Sequence, residues 1–100
     1  MTFSVELHPD VIKYMDSISQ KERKRCFLGL KELEEDPFHP RPGCDIKKMS
    51  GSKDYYRLRV GNHRFLYVII KEKVMVEEAF LLGKGYYFGQ YFISFFFNIP

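Results

Sequence analysis

Hydrophobic positions recur along this chain with two different periods, which divide it into a helical part and a strand-forming part. Phe3, Val5 and Leu7 alternate with polar residues and predict a short first strand. Two stretches with helical spacing follow, each with an apolar stripe that can face a core. The first stripe is Val11, Ile12, Met15 and Ile18, and the second is Cys26, Phe27, Leu30 and Leu33.

Local signals predict where the two helices begin and end. The first starts at the segment His8-Pro9-Asp10. Ser19 is the expected N-cap of the second, with Glu22 at its third position, and together they form the pattern of a capping box. Asp36-Pro37 is expected to end the second helix, because the residue before a proline is driven out of the α conformation.

The chain from residue 46 onward has the pattern of a β-meander. Strands are predicted at 46–49, 55–60, 64–70 and 74–82. The order of elements predicts an α+β fold, in which an N-terminal strand precedes a two-helix hairpin packed on one face of an antiparallel β-sheet. With 100 residues, of which 45% are hydrophobic, residues 1–100 are expected to form a single domain.

The hairpin formed by the two middle strands is expected to carry three arginines on one face. If Gly61-Asn62 is a two-residue turn, Arg59 lies opposite Arg64, and Arg57 shares their face. Like charges directly opposite each other destabilise a sheet, so the grouping indicates a bound anion, with phosphate the leading candidate. A solvated sheet face partly neutralised by carboxylates is the alternative. The opposite face has the residues of a core, namely Tyr56, Leu58, Val60, Phe65 and Tyr67.

Charge distribution supports the anion hypothesis more than total charge does. The net charge is only +3, but residues 46–64 hold six cations against one acid, Asp54.

The three histidines are scattered along the chain, at His8, His39 and His63, and the acids do not repeat at the spacing of metal ligands. No metal and no other cofactor is therefore predicted.

Targeting signals are not found in the sequence. The two cysteines give no disulfide framework, and the N-terminus lacks a basic start followed by an apolar run. A soluble protein of the cytoplasm, with no membrane partner, is expected.

The segment 86–100 holds eight aromatic residues and is interpreted as an aromatic C-terminal tail. It folds back on the sheet, forms a homodimer or meets a protein partner, and the sequence leaves these open.

The order of elements, together with four segments, resembles the RelE/ParE toxin superfamily and its RelE side in particular. The segments are Lys47-Lys48-Met49-Ser50-Gly51, Asp54-Tyr55-Tyr56-Arg57-Leu58-Arg59-Val60, Arg64-Phe65-Leu66-Tyr67 and Leu82-Gly83-Lys84. The resemblance covers residues 3 to about 91. It implies a toxin that cuts messenger RNA in the ribosomal A site and is held inactive by a RelB-like antitoxin.

The resemblance also implies the roles of five residues as a catalytic set. Arg57 and Arg59 match two basic positions on the middle strands, and Arg64 matches the arginine after the hairpin turn. Lys84 matches a basic residue at the end of the last strand, and Tyr91 lies where a C-terminal tyrosine is expected.

Two neighbouring lysines are candidates for RNA binding. Lys47 and Lys48 come just before the arginine strand and are expected to contact backbone phosphate or ribosomal RNA. Protection of a sheet edge against aggregation is the alternative for the pair. The resemblance also marks a departure: directly after Lys84, Gly85 stands where active relatives often have an arginine proposed as general acid.

Proton transfer has two candidates among the hairpin strands and their neighbour. His63 is expected on the face opposite Arg64, which favours a packed histidine. If Lys71-Glu72 is a two-residue turn, Glu77 lies opposite Leu66 on the arginine face, as a base or as an ion-pair partner.

Three functions are consistent with these features. The first is a ribosome-dependent, metal-independent endoribonuclease toxin, in which arginines balance the charge that develops on the phosphate. The second is a ParE-like toxin that inhibits gyrase through protein contacts. The third, suggested by Gly85 and by the lack of a clear proton acceptor, is a catalytically weak module that binds RNA or ribosomes.

Overall fold

Five strands and two helices make up the part of the chain that the computed structural model describes, residues 2–50 and 54–83. They are β1 (Ser4–Leu7), α1 (Pro9–Ser17), α2 (Gln20–Glu32), β2 (Asp45–Lys48), β3 (Tyr55–Val60), β4 (His63–Ile70) and β5 (Lys73–Leu81). The strands form one sheet in the order β1-β5-β4-β3-β2. The α+β class predicted from the pattern is confirmed.

The sheet is mixed, whereas the sequence pattern predicts an antiparallel one. Strands β2 to β5 form the predicted antiparallel meander, but β1 pairs with β5 in parallel, with Ser4 opposite Lys73 and Leu7 opposite Val76. The helix pair carries the chain from one edge of the sheet to the other. The meander then returns toward β1, and its last strand arrives in the same direction as β1.

The core lies between the helix pair and one face of the sheet. The helices and the turn after α2 contribute Val11, Met15, Cys26, Leu30 and Leu33, and the middle of the sheet contributes Leu58, Phe65, Tyr67, Val74 and Val76. Two residues of the predicted stripes are instead exposed, Ile12 at 47% and Phe27 at 56%. Both residues lie at the margins of their stripes. The buried face of each helix is therefore narrower than the spacing of its apolar residues predicts.

The beginning of α2 follows the predicted signal in part. Ser19 is the N-cap, and its Oγ accepts a hydrogen bond from the backbone N–H of Glu22 at 3.2 Å. The Glu22 carboxylate does not complete the capping box, because it accepts instead from His63 at 3.0 Å and from Arg25 at 3.2 Å.

Helix α2 ends earlier than the Asp36-Pro37 signal predicts. The helix ends at Glu32 and not at Asp36, and residues 33–35 form turns. The Asp36 carboxylate organises the following loop by accepting from the backbone N–H of Phe38 at 2.9 Å. Such local side-chain bonds to the backbone compete with helix, which explains why the helix stops before the proline.

Several expectations concern residues outside the described ones. They are the roles of Lys84 and Tyr91, the replacement at Gly85 and the aromatic tail at 86–100. Within the described residues, neither helix has the length and apolar composition that a bilayer crossing would require.

Candidate anion-binding site

The β3–β4 hairpin places two arginines directly opposite each other. Its turn is Gly61-Asn62, in which Gly61 has a φ of +60°, a conformation that glycine adopts without strain. Arg59 therefore pairs with Arg64, as the sequence predicts. Arg57 is two residues before Arg59 and shares its face. We call Arg57, Arg59 and Arg64 the arginine cluster.

Arg57 is a buried cation with incomplete hydrogen bonding. It is 3% exposed, and its Nη2 donates to Oδ1 of Asp45 at 2.9 Å. Its Nε and Nη1 are buried and have no acceptor in the described part of the chain. A buried donor without an acceptor costs about 1–3 kcal/mol, so the contact with Asp45 compensates only part of the cost of burying this guanidinium.

Arg59 meets the same carboxylate from the solvent side. Its Nε lies 3.5 Å from Oδ2 of Asp45, and its side chain is about half exposed. The β2–β3 register brings this about, because Asp45 pairs directly with Arg59. Sequence reasoning missed Asp45, since the counted basic stretch begins one residue later. Asp45 could have been found by pairing β2 with β3 in antiparallel register, which places it opposite Arg59.

Arg64 is held beneath the turn. It is 4% exposed, and its Nη1 donates to the carbonyl oxygen of Gly61 at 2.9 Å. Burial lowers the pKa of Arg64 below its ordinary value, and the charges of Arg59 and Arg57 lower it further. The three guanidinium groups therefore act on one another electrostatically, and a phosphate placed among them would relieve that repulsion.

His63 faces the helices, as predicted, and lies within a hydrogen-bonded network. Its Nδ1 contacts the hydroxyl of Tyr14 on α1, and its Nε2 lies 3.0 Å from Glu22 on α2. Burial, the largest cause, raises the pKa of Tyr14 to about 12, so its hydroxyl stays protonated and can donate to the ring. When Nδ1 accepts from this hydroxyl, the N–H at Nε2 donates to the Glu22 carboxylate. The network ties the residue before Arg64 to both helices.

The prediction that Glu77 lies opposite Leu66 was wrong. Lys71-Glu72 does form the turn, but a register shift between Leu66 and Tyr67 places Glu78 opposite Leu66. Glu77 is the extra residue of this β-bulge, which sequence periodicity does not predict. Its carboxylate accepts from the hydroxyl of Tyr55 at 2.7 Å, and this bond is the largest cause of the raised pKa of Tyr55.

The two candidate lysines lie on opposite faces of the sheet. Lys47 pairs with Arg57 and is on the arginine face, whereas Lys48 pairs with Tyr56 on the face toward the helices. The Lys48 Nζ lies 5.9 Å from the centre of the Tyr56 ring. The structure therefore adds Lys47 to the positive surface and separates Lys48 from it.

A cleft of about 840 Å³ opens beside Arg59 and Asp45, between α2 and the end of β3. Its lining includes cations and carboxylates, with Arg25 and Glu32 on the helix side.

No group of three or more histidine, cysteine, aspartate or glutamate side chains among residues 2–50 and 54–83 is arranged to hold a metal ion.

The fold is a small α+β domain whose helix pair covers one face of the sheet, and the arginine cluster lies on the other face. No protein-family model matches the sequence. The chain is 33% identical over 88 residues to the protein named as toxin RelE1 in Methanocaldococcus jannaschii, an alignment that covers 87% of this chain and 97% of the relative. The chain belongs to the RelE family of toxins.

Solved structures agree with this assignment. The toxin-like fold matches a chain of the archaeal RelE–RelB complex from Pyrococcus horikoshii with a TM-score of 0.71 and 27% identity, covering 84% of this chain and 99% of the other. A mutant of Escherichia coli RelE in the free state matches with a TM-score of 0.67 over 99% of this chain and all of the other. At 20% identity, the second match supports the fold alone.

Proposed function

We propose that this chain is the toxin of a toxin–antitoxin pair and a ribosome-dependent endoribonuclease that cuts messenger RNA without a metal. The observation that carries the proposal is the arginine cluster, in which Arg59 and Arg64 are paired across two strands and Arg57 keeps two buried N–H groups without an acceptor among the described residues. Phosphate satisfies both the charge and the hydrogen bonding of such a cluster.

Cleavage through the 2′-hydroxyl of RNA builds negative charge on the scissile phosphate. Each positioned donor aimed at that charge lowers the barrier by about 3 kcal/mol. Arg59, which is half exposed, meets the phosphate first, and Arg57 and Arg64 stabilise the charge as it develops. In this proposal Lys84 takes part in proton transfer, and Tyr91 stacks on a base or transfers a proton.

Lys47 extends the positive surface along the RNA backbone. It is exposed and directly opposite Arg57, so it can contact a phosphate next to the scissile one. Lys48, on the other face, is assigned to the edge of the sheet and not to the RNA.

A RelB-like antitoxin is the proposed partner that holds the toxin inactive. Support comes from family membership and from the archaeal relative, whose solved structure is a RelE–RelB complex. A short neighbouring reading frame that encodes an acidic protein, and whose co-expression restores growth, is the expected observation.

The proposal is tested by expressing the chain alone and mapping the 5′ ends of translated messages. Wild type should arrest growth and produce cuts within codons, and purified protein should cut messages on programmed ribosomes. Arg59→Ala and Arg64→Ala should each reduce the cleavage rate by roughly 10²-fold or more, because each removes one stabilising charge. Lys13→Ala, a change of the same charge on exposed α1, is the matched control and should cut like wild type.

Two outcomes would contradict this proposal. An Arg59→Ala/Arg64→Ala double variant that is as toxic as wild type would show that the arginine cluster is not the active site. DNA-damage signalling without message cleavage would select the gyrase-inhibiting alternative.

A further inference from the structure

Asp45 lies beside the arginine cluster, on the neighbouring edge strand β2, and neither charge counting nor the family resemblance assigns it a role. Its two carboxylate oxygens face different arginines, Oδ1 toward Arg57 Nη2 at 2.9 Å and Oδ2 toward Arg59 Nε at 3.5 Å. We propose that Asp45 is a positioning residue that holds Arg57 and Arg59 in the orientation required by the scissile phosphate. The inference rests on the proposed endoribonuclease function and deepens it.

The distribution of donors supports this role. Asp45 occupies Nη2 of Arg57 and leaves Nε and Nη1, the two groups without an acceptor in the described chain. On Arg59 the carboxylate forms an ion pair at 3.5 Å beside Nε, and the two terminal nitrogens remain for another anion. One carboxylate therefore contacts one nitrogen of each guanidinium group, and the nitrogens that RNA can reach from solvent are the terminal ones of half-exposed Arg59.

Positioning matters most for Arg59. A half-exposed arginine has many rotamers, and ordering such a side chain costs up to about 2 kcal/mol. The contact with Asp45 favours one orientation before RNA arrives, so less of that cost falls on the reaction. Asp45 is itself about half exposed and directly opposite Arg59 in the sheet, so it can hold the arginine without being enclosed.

The same carboxylate also reduces the positive charge that RNA meets. Three arginines and Asp45 together carry two net positive charges, whereas the cluster without Asp45 carries three. Loss of the carboxylate should therefore strengthen binding of RNA and, at the same time, disorder the groups that stabilise the transition state. Tighter binding with slower cleavage distinguishes a positioning residue from a structural one, because a partly unfolded variant loses both.

The experiment compares wild type with Asp45→Asn and Asp45→Glu on programmed ribosomes. Single-turnover cleavage at increasing toxin concentration gives the maximal rate and the half-saturating concentration. Affinity is measured separately with a message whose target codon carries 2′-O-methyl groups. Asp45→Asn should lower the maximal rate by about 10- to 100-fold and lower the half-saturating concentration several-fold, since a misplacement near 1 Å costs up to 10²-fold in rate. Asp45→Glu should recover part of the rate.

The control is Asp54→Asn, which removes the same charge from an exposed position just before β3. It should leave the maximal rate unchanged. Urea unfolding of every variant at the assay temperature identifies loss of folded protein.

Three results would overturn the inference. They are an unchanged maximal rate in Asp45→Asn, a parallel loss of rate and affinity that follows the fraction unfolded, and the same effect in Asp54→Asn. If wild type itself leaves the message intact, the proposed function fails and this inference fails with it. If wild type cuts and Asp45→Asn cuts equally well, the positioning role alone fails.

Discussion

At the scale of one residue, Arg57 is proposed to serve the reaction and not the stability of the fold. It is almost fully buried, two of its nitrogens lack acceptors in the described chain, and its counterion Asp45 is half exposed. Arg57→Met keeps an unbranched apolar stem and removes the buried charge. We expect its free energy of unfolding to be unchanged or higher by about 1–3 kcal/mol, because the variant removes two buried donors without acceptors in the described chain and leaves behind a carboxylate that is half exposed to solvent. Cleavage should be lost.

Urea unfolding, followed by circular dichroism, measures the first effect, and the ribosome assay measures the second. Arg57→Ala is the comparison, since it also removes the packed stem and should be less stable than Arg57→Met. A large loss of stability in Arg57→Met would show that the ion pair with Asp45 holds the sheet together, contrary to this interpretation.

At the scale of elements, the contact between Glu22 and His63 fastens α2 to the hairpin. The hydrogen bond from His63 is the largest cause of the lowered pKa of Glu22. A carboxyl with a lowered folded-state pKa stabilises the protein fully above its unfolded value, here the ordinary 4.5, and loses that contribution as the pH falls through the folded-state pKa. Glu22→Gln should therefore be less stable than wild type at pH 7, and the difference should shrink below pH 4.5.

Urea midpoints at pH 7 and at several pH values below 4.5 test this expectation. The control is Glu35→Gln, a change in an exposed residue of the turn after α2. A stability difference that is constant with pH would mean that Glu22 acts through packing and not through its charge.

The sequence alone predicts those parts of the fold and site that are determined by residues close together in the chain. The Gly61-Asn62 turn fixes the register of β3 and β4, so the opposition of Arg59 and Arg64 follows from a few neighbouring residues. Asp45 reaches its arginines through the pairing of β2 with β3, which depends on the course of a long loop. The bulge that moves Glu77 and the parallel pairing of β1 likewise depend on distant parts of the chain.

For the whole molecule, the decisive feature is a sheet with two chemically different faces. The helix pair covers one face and buries the main core against it. The other face carries the arginine cluster beside a small apolar group formed by Met49 and Leu66 with Tyr55 and Phe80. The main core and the proposed chemistry thus lie largely on opposite faces of the same strands. Because side chains alternate along a strand, the position of each cation in its strand determines the face on which it lies.

Lys47 and Lys48 test this division, because they are adjacent and carry the same charge but point to opposite faces. Each cation that contacts a phosphate of single-stranded RNA adds about 0.7 to the slope of log affinity against log salt. Lys47→Gln should weaken binding to ribosomes programmed with a 2′-O-methylated message and reduce that slope by about 0.7, whereas Lys48→Gln should leave the slope unchanged. Titration between about 50 and 200 mM KCl at constant magnesium covers the range in which the slope is measurable. Equal slopes for the two variants would mean that RNA binding does not depend on which face of the sheet carries the lysine. That result would contradict the proposal that the face with the arginine cluster binds RNA.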